Sequence, residues 1–135
     1  MITVTFLIQN YDTLDSMVSV TVPVQAVPRV GEVVWMSGEM KDEFIRQALR
    51  DDRTLDLYDG YVFGTGKDLH LSFDSCVYAV RVFHILADQS IRVILADDMN
   101  PELSTHPSDT ALTEAERKNL RKNHSNLFQN EKSHA

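Results

Sequence analysis

The sequence predicts a mainly β, α+β domain, built as a small, partly open antiparallel barrel or curved sheet with one inserted helix and a C-terminal helix. Short runs in which apolar residues alternate with polar ones recur over the first hundred residues, as strands of a half-buried sheet do. CVYAVRVFHIL and IRVILADD, on either side of the polar break at residues 87–90, are typical of one long β-hairpin. After residue 39 the apolar spacing becomes helical, which predicts a helix within the β body.

The first strand of the long hairpin is apolar on both faces. A strand with neighbours on both sides and cover on both faces needs such a pattern, so this strand is predicted to be central in the sheet. At a period of two residues, one face carries Tyr78, Val80, Val82, His84 and Leu86, and the other carries Val77, Ala79, Phe83 and Ile85.

Three strands are predicted before the inserted helix. Residues 2–8 and 18–24 both alternate, and they lie close enough in sequence to pair as a hairpin. Pro23 has no amide proton to donate, so it should lie near a sheet edge or at a strand end. A turn at residues 28–32 leads into the third strand, at residues 33–36.

The inserted helix is predicted over about residues 40–51, with Ser37 as its cap. Its apolar stripe, which should cover an open end or one face of the sheet, consists of Met40, Phe44, Ile45, Ala48 and Leu49. Two further strands are predicted at residues 55–63 and 69–73. They are joined by a turn in which Gly64 and Gly66 take positive φ.

Residues 1–99 form the predicted barrel-like domain, and the remainder is an appendage. Residues 100–112 contain two prolines and are predicted to be a linker. A capping box predicts a helix over residues 113–128, and residues 129–135 are predicted to be a disordered tail. The residues through which this helix should interact are Leu120, Leu127 and Phe128.

That helix has few apolar residues and is marginal alone in water. It can dock on the body, pair with a second copy of the chain, or bind a partner. Docking within the protein or its oligomer is favoured because the body is acidic and the helix carries a basic patch at Arg117, Lys118, Arg121 and Lys122.

The charge of the chain is concentrated on the predicted domain. Residues 1–99 hold 15 acidic and 8 basic residues, whereas residues 100–135 hold 5 of each. An acidic surface repels phosphate backbones, so direct binding to nucleic acid is disfavoured and a protein partner with a basic surface is predicted. The candidate residues for contact with that partner are Asp51, Asp52, Asp56 and Asp59.

Aromatic residues supply a second set of candidates for partner binding. Trp35, Tyr58 and Tyr61 are flanked by turn residues or acidic residues. In a small barrel their flat rings can converge on one open groove, where they offer contact area at low entropic cost, or they can fill the core.

The sequence predicts no catalytic residue, no metal site and no cofactor. The turn at Gly66 and Lys67 lacks a phosphate-binding loop motif, because Tyr61 stands where the first glycine belongs and Asp68 replaces the magnesium-binding hydroxyl. Asp68, His70 and Asp74 lie close together, but their spacing matches no ligand signature.

The segment MITVTFLIQ has no basic region and no small-residue cleavage site. No apolar run approaches the roughly 18 residues that a membrane span needs. We therefore expect a cytoplasmic protein with no membrane contact. The single cysteine, Cys76, is expected to be a buried strand residue, and it permits no intrachain disulfide.

The run VPRVGEVVWMSG, followed by VYAVRVFHIL and IRVILAD, resembles the strand pattern of SH3-like barrels in small bacterial and phage proteins. The resemblance covers roughly half the chain. It implies a small β-barrel fold and no particular functional residue.

The leading functional hypothesis is a non-catalytic protein-interaction module rather than an enzyme. Its acidic surface suits an inhibitor or adaptor, encoded by a phage or mobile element, that covers a basic surface of a host complex. One alternative is a module that sequesters or senses a small ligand at an oligomer interface. Another is a structural subunit of a virion or secretion assembly, in which the helical tail links copies.

Overall fold

The computed structural model describes residues 1–9, 18–99 and 112–128. Its architecture is mixed α+β, with a five-stranded sheet curled into a half-barrel and three helices. The strands are β1 (Ile2–Ile8), β2 (Ser19–Val24), β3 (Val33–Trp35), β4 (Val62–Phe63), β5 (His70–Leu71), β6 (Cys76–Ile85) and β7 (Ser90–Ala96). The helices are α1 (Gly38–Ala48), α2 (Asp52–Leu57) and α3 (Glu114–Asn123), with 3₁₀ turns at Asp59–Tyr61, Gly66–Asp68 and Ser125–Phe128.

The main sheet has the strand order β2-β1-β7-β6-β3, and β4 pairs with β5 separately. The predicted hairpins β1–β2 and β6–β7 are confirmed, and β6 has neighbours on both sides. The prediction of an antiparallel sheet is wrong at its centre, where β1 pairs with β7 in parallel. Parallel neighbours need a long connection, and β2, β3, the two inserted helices and β6 all lie between these two strands in the chain.

A β-bulge interrupts β6 between Ala79 and Arg81. One extra residue shifts the alternation, so the faces predicted at a strict period of two hold only for the first half of the strand. Val77 and Ala79 are buried in the core, and Val82, predicted to lie on the opposite face, packs against the same core. The bulge therefore keeps apolar residues on the inner face of the curled sheet.

The core lies between the inner face of this sheet and the helices. Phe44 of α1, Leu55 of α2, and Tyr58 are fully buried there, as is Leu120 of α3. Ser37 caps α1 as predicted, because its side chain accepts a hydrogen bond from the amide of Met40. The sequence predicts one inserted helix, whereas the structure contains two, α1 and α2.

The strand predicted at residues 55–63 is largely helical. The side chain of Asp51 accepts a hydrogen bond from the amide of Thr54 at 2.7 Å, which begins α2. Leu55 and Tyr58, three residues apart, then lie on one helical face toward the core. The following turn forms as expected, with φ of +88° at Gly64 and +55° at Gly66.

Cys76 is exposed rather than buried, because it is paired with Trp35 on the outer face of the sheet, beside its edge. The predicted linker at residues 100–112, apart from Leu112, and the predicted tail at 129–135 lie outside the described residues.

Candidate protein-binding surface

Two of the predicted acidic residues bind the C-terminal helix. Asp56 accepts hydrogen bonds from the Nε and Nη2 atoms of Arg117 at 3.3 and 2.8 Å, and Asp52 accepts one from Arg121 at 2.6 Å. The predicted docking of this helix on the acidic body is therefore confirmed. Asp51 has a different role, as the cap of α2, and Asp59 begins the 3₁₀ turn after that helix.

The predicted interaction face of α3 and the turn after it points into the protein. Leu120 is fully buried in the main core, and Leu127 and Phe128 pack against it. Polar contacts fix the helix further: Asn123 donates hydrogen bonds to the carbonyl oxygens of Lys67 and Leu69 at 2.8 and 2.6 Å. These residues hold the helix on the body.

The end of α3 carries a histidine whose charge matters for this docking. The Leu71 amide donates a hydrogen bond to Nε2 of His124 at 2.9 Å, so Nε2 must be unprotonated. Burial lowers the pKa of His124 below its usual 6.5, and the neighbouring His70 lowers it further, whereas Asp42 opposes the shift. Protonation of His124 places a proton on the atom that accepts the bond.

We expect acid to weaken the docking of α3. A lowered pKa means that the unfolded chain takes up the proton first, so the stabilisation is complete above pH 6.5 and is lost as the pH falls through the folded pKa. Urea unfolding at several pH values measures this loss of stability. His124→Gln is the control, because glutamine keeps a hydrogen-bond acceptor but does not titrate. The stability difference between the two proteins should change below pH 6.5. Parallel pH profiles would contradict the role of His124.

The three predicted aromatic residues do not converge on one groove. Tyr58 is fully buried and Tyr61 is 8% exposed, and both rings pack against Phe73 in the core. The hydroxyl of Tyr58 donates to the carbonyl of Ile8 at 2.7 Å. Trp35, by contrast, is 77% exposed on β3.

β3 is an edge strand with an open backbone. The Met36 amide donates to the Ser75 carbonyl at 2.6 Å, and the Glu32 carbonyl accepts from the Ala79 amide at 2.9 Å. The backbone hydrogen-bonding groups of residues 32 and 36 therefore point toward β6. Antiparallel pairing alternates along a strand, so the N–H and C=O groups of Val33 and Trp35 point away from the sheet. No strand among the described residues pairs with that side of β3.

The opposite edge strand, β2, cannot pair freely with a further strand, because the outward backbone groups of two of its residues are occupied or lack a donor. The Gln47 side chain of α1 accepts from the Ser19 amide at 2.8 Å and donates to the Ser19 carbonyl at 2.6 Å, as a neighbouring strand does. Outward backbone groups recur every second residue, at Ser19, Thr21 and Pro23. Pro23 has no N–H, and its predicted position at a sheet edge is confirmed. Proteins commonly block an edge in this way to prevent unwanted pairing.

A groove of about 570 Å³ lies between these two edges. Because the sheet is curled and not closed, part of its inner face is accessible there. Apolar side chains dominate the lining, with Glu39 and Arg46 among the polar ones. The apolar residues are Phe6, Val20, Val22, Val24, Val34, Trp35 and Met40.

Sequence reasoning selected Trp35 but missed the open edge on which it lies. The signal was the short length available to the strand: only four residues lie between the turn at Arg29–Glu32 and the cap of α1 at Ser37, and β3 takes three of them. Strands this short are typical of sheet edges. The bond between Gln47 and Ser19 had no signal in the sequence, because it joins elements 28 residues apart.

No family model, curated protein or solved structure matches this chain. The resemblance to SH3-like barrels therefore stays a prediction. Within residues 1–9, 18–99 and 112–128, no three His, Cys, Asp or Glu side chains are grouped so that they could hold a metal ion. Among the helices of that part of the chain, none has the length and apolar character to cross a membrane.

Proposed function

We propose that this protein is a non-catalytic protein-binding module that docks its partner on the β3 edge, at Val33 and Trp35. The observation that carries the proposal is the exposure of Trp35, 77%, on an edge strand with outward backbone groups. A large exposed aromatic ring beside other exposed apolar residues is typical of the centre of a protein interface. Val33 and Val30, which are 52% and 57% exposed, extend the apolar surface.

Charge narrows the class of partner. The chain has a net charge of −7. Next to β3 in sequence, Glu32 and Glu39 are balanced by Arg29 and Lys41, so the attraction comes from the charge of the whole chain. Such a surface attracts a basic partner and slows the approach of an acidic one. An inhibitor or adaptor that covers a basic surface of another protein complex is the role that fits these features.

Trp35→Ser should abolish partner capture from the native host. Loss of a tryptophan at the centre of an interface weakens binding by about 2 kcal/mol or more, roughly 30-fold in Kd. The measurement is affinity capture with the tagged full chain, elution by rising salt, and quantitative mass spectrometry. Leu86→Ser is the matched control, because Leu86 is also 77% exposed but lies in the β6–β7 turn.

A protein captured by the wild type and by the Leu86 variant, but not by the Trp35 variant, supports the proposal. Equal capture by all three would place the interface elsewhere. Failure to capture any protein in stoichiometric amount would overturn the protein-binding function itself.

A further inference from the structure

Resting on the proposed function, we infer that the partner contributes an extended segment, with alternating apolar and basic side chains, that pairs with β3 as a sixth strand. Main-chain hydrogen bonds give such a complex its affinity, and alternate side chains give its specificity. Three features of the molecule support the inference: the open backbone of β3, the groove beside it, and the net negative charge of the chain.

The backbone of β3 is ready for a further strand. The N–H and C=O groups of Val33 and Trp35 point outward, on the side opposite to β6. At the other edge of the sheet Gln47 occupies the position of a neighbouring strand at Ser19, and Pro23 offers no donor. Strand addition is therefore directed to β3.

The side chains around β3 differ on the two faces of the sheet. A strand added beyond β3 continues the curl toward β2 and lies over the groove, where Val20, Val22, Val34 and Met40 favour apolar side chains. Successive side chains of a strand alternate between faces, so the intervening ones lie on the outer side. Trp35 belongs to that face by its pairing with Cys76, and it also contributes to the lining of the groove. Lysine and arginine suit that side, because their stems pack on an indole ring and their charges are attracted to its face.

The three segments of this chain outside the described residues fit this position poorly. Residues 10–17, NYDTLDSM, contain Asp12 and Asp15 and no basic residue, so they lack the basic side chains expected on the outer side. Residues 129–135, QNEKSHA, contain no large apolar side chain that could fill the groove. Residues 100–111, NPELSTHPSDTA, contain one leucine and two prolines, and proline interrupts strand pairing. The occupant is therefore expected to belong to another protein.

A second copy of the chain also fits poorly. Its β2 edge is closed by Gln47 and Pro23, so among the described residues the main sheet can offer only its own β3, which has three residues. α1 begins directly after that strand, with Ser37 as its cap, so the pairing cannot be extended. Such a contact is small beside the roughly 1,200–2,000 Å² that stable interfaces bury.

A synthetic peptide tests the inference with the full chain. The probe is Lys-Val-Lys-Val-Lys-Val-Lys, and the control, Lys-Lys-Val-Val-Val-Lys-Lys, has the same composition without the alternation. Trp35 is the only tryptophan, so a blue shift of its emission reports binding. We expect at least tenfold tighter binding of the alternating peptide. We also expect at least tenfold slower hydrogen exchange at the amides of Val33 and Trp35 in its presence.

The variant Val33→Pro removes one outward donor and leaves the bonds to β6 in place, so it should weaken binding of the alternating peptide at least tenfold. Binding that needs Trp35 but leaves amide exchange and the Val33→Pro variant unaffected would overturn strand addition while the proposed function stands. Equal binding of both peptides, or of neither, would overturn the alternating pattern. If the tryptophan emission shifts to the blue as the protein concentration rises without peptide, and light scattering detects dimers, the strand that pairs with β3 belongs to a second copy of the chain. Capture of the natural partner without need of Trp35 would remove the proposed function.

Discussion

Tyr58→Phe should destabilise the protein by about 2–4 kcal/mol, although only one oxygen atom is removed. That oxygen accepts a hydrogen bond from the Val18 amide at 3.0 Å and donates one to the Ile8 carbonyl at 2.7 Å. It joins the end of α2 to the ends of β1 and β2. Because the site is fully buried, both backbone groups lose this partner without water to replace it. Urea unfolding monitored by far-UV circular dichroism measures the loss.

Tyr61→Phe is the matched control for this prediction. Its hydroxyl lies 3.4 Å from the carbonyl of Gln9, a long contact, and the residue is 8% exposed. We expect a smaller loss than for Tyr58→Phe, because the described bond of this hydroxyl is long and therefore weak. Equal losses for the two variants would show that the hydroxyl of Tyr58 has no special role.

The strands of the main sheet could be predicted because burial on one face leaves a period of two in the sequence. β1, β2 and the β6–β7 hairpin all follow from such alternation. α2 was missed although its signal is present: Asp51 as cap, then Leu55 and Tyr58 at helical spacing. The apolar residues of that segment fit a strand equally well, since a short apolar run does not distinguish the two.

Long-range features could not be predicted from one sequence. The parallel pairing of β1 with β7 joins segments about 90 residues apart, and no local residue specifies it. The bulge at Ala79 and Arg81 depends on the register between β6 and β7. A bulge bends the strand that contains it, so this one contributes to the curl of the sheet.

The candidate site also combines local features, which the sequence predicts, with long-range features, which it does not. Composition predicts Asp52 and Asp56 as contacts for a partner, and opposite charge favours docking of the C-terminal helix on the acidic body. The structure pairs these two residues with Arg121 and Arg117, which no local feature of the sequence specifies. Composition did not show that Asp52 and Asp56 are thereby partly neutralised within the molecule. The sequence predicts Trp35 as a contact residue because it is an aromatic residue near turns, but its exposure depends on the position of β3 at the sheet edge.

Leu120→Ala should cost about 2–5 kcal/mol, a large part of the 5–15 kcal/mol that typically stabilises a small protein. Leu120 is the one residue of α3 that is fully buried in the main core. The ion pairs of this helix, Arg117–Asp56 and Arg121–Asp52, are partly exposed, and such pairs contribute about 0–1 kcal/mol each. Hydrophobic burial should therefore hold the helix, while the charges orient it.

The comparison of Leu120→Ala with Arg121→Gln separates these two contributions. Arg121 also donates to the Leu49 carbonyl at 3.1 Å, so its loss should cost about 1 kcal/mol and depend on salt. Hydrogen exchange at the amides of α3 should accelerate strongly in the Leu120 variant and only slightly in the Arg121 variant. If the Arg121 variant loses as much stability as the Leu120 variant, electrostatic attraction to the acidic body holds the helix.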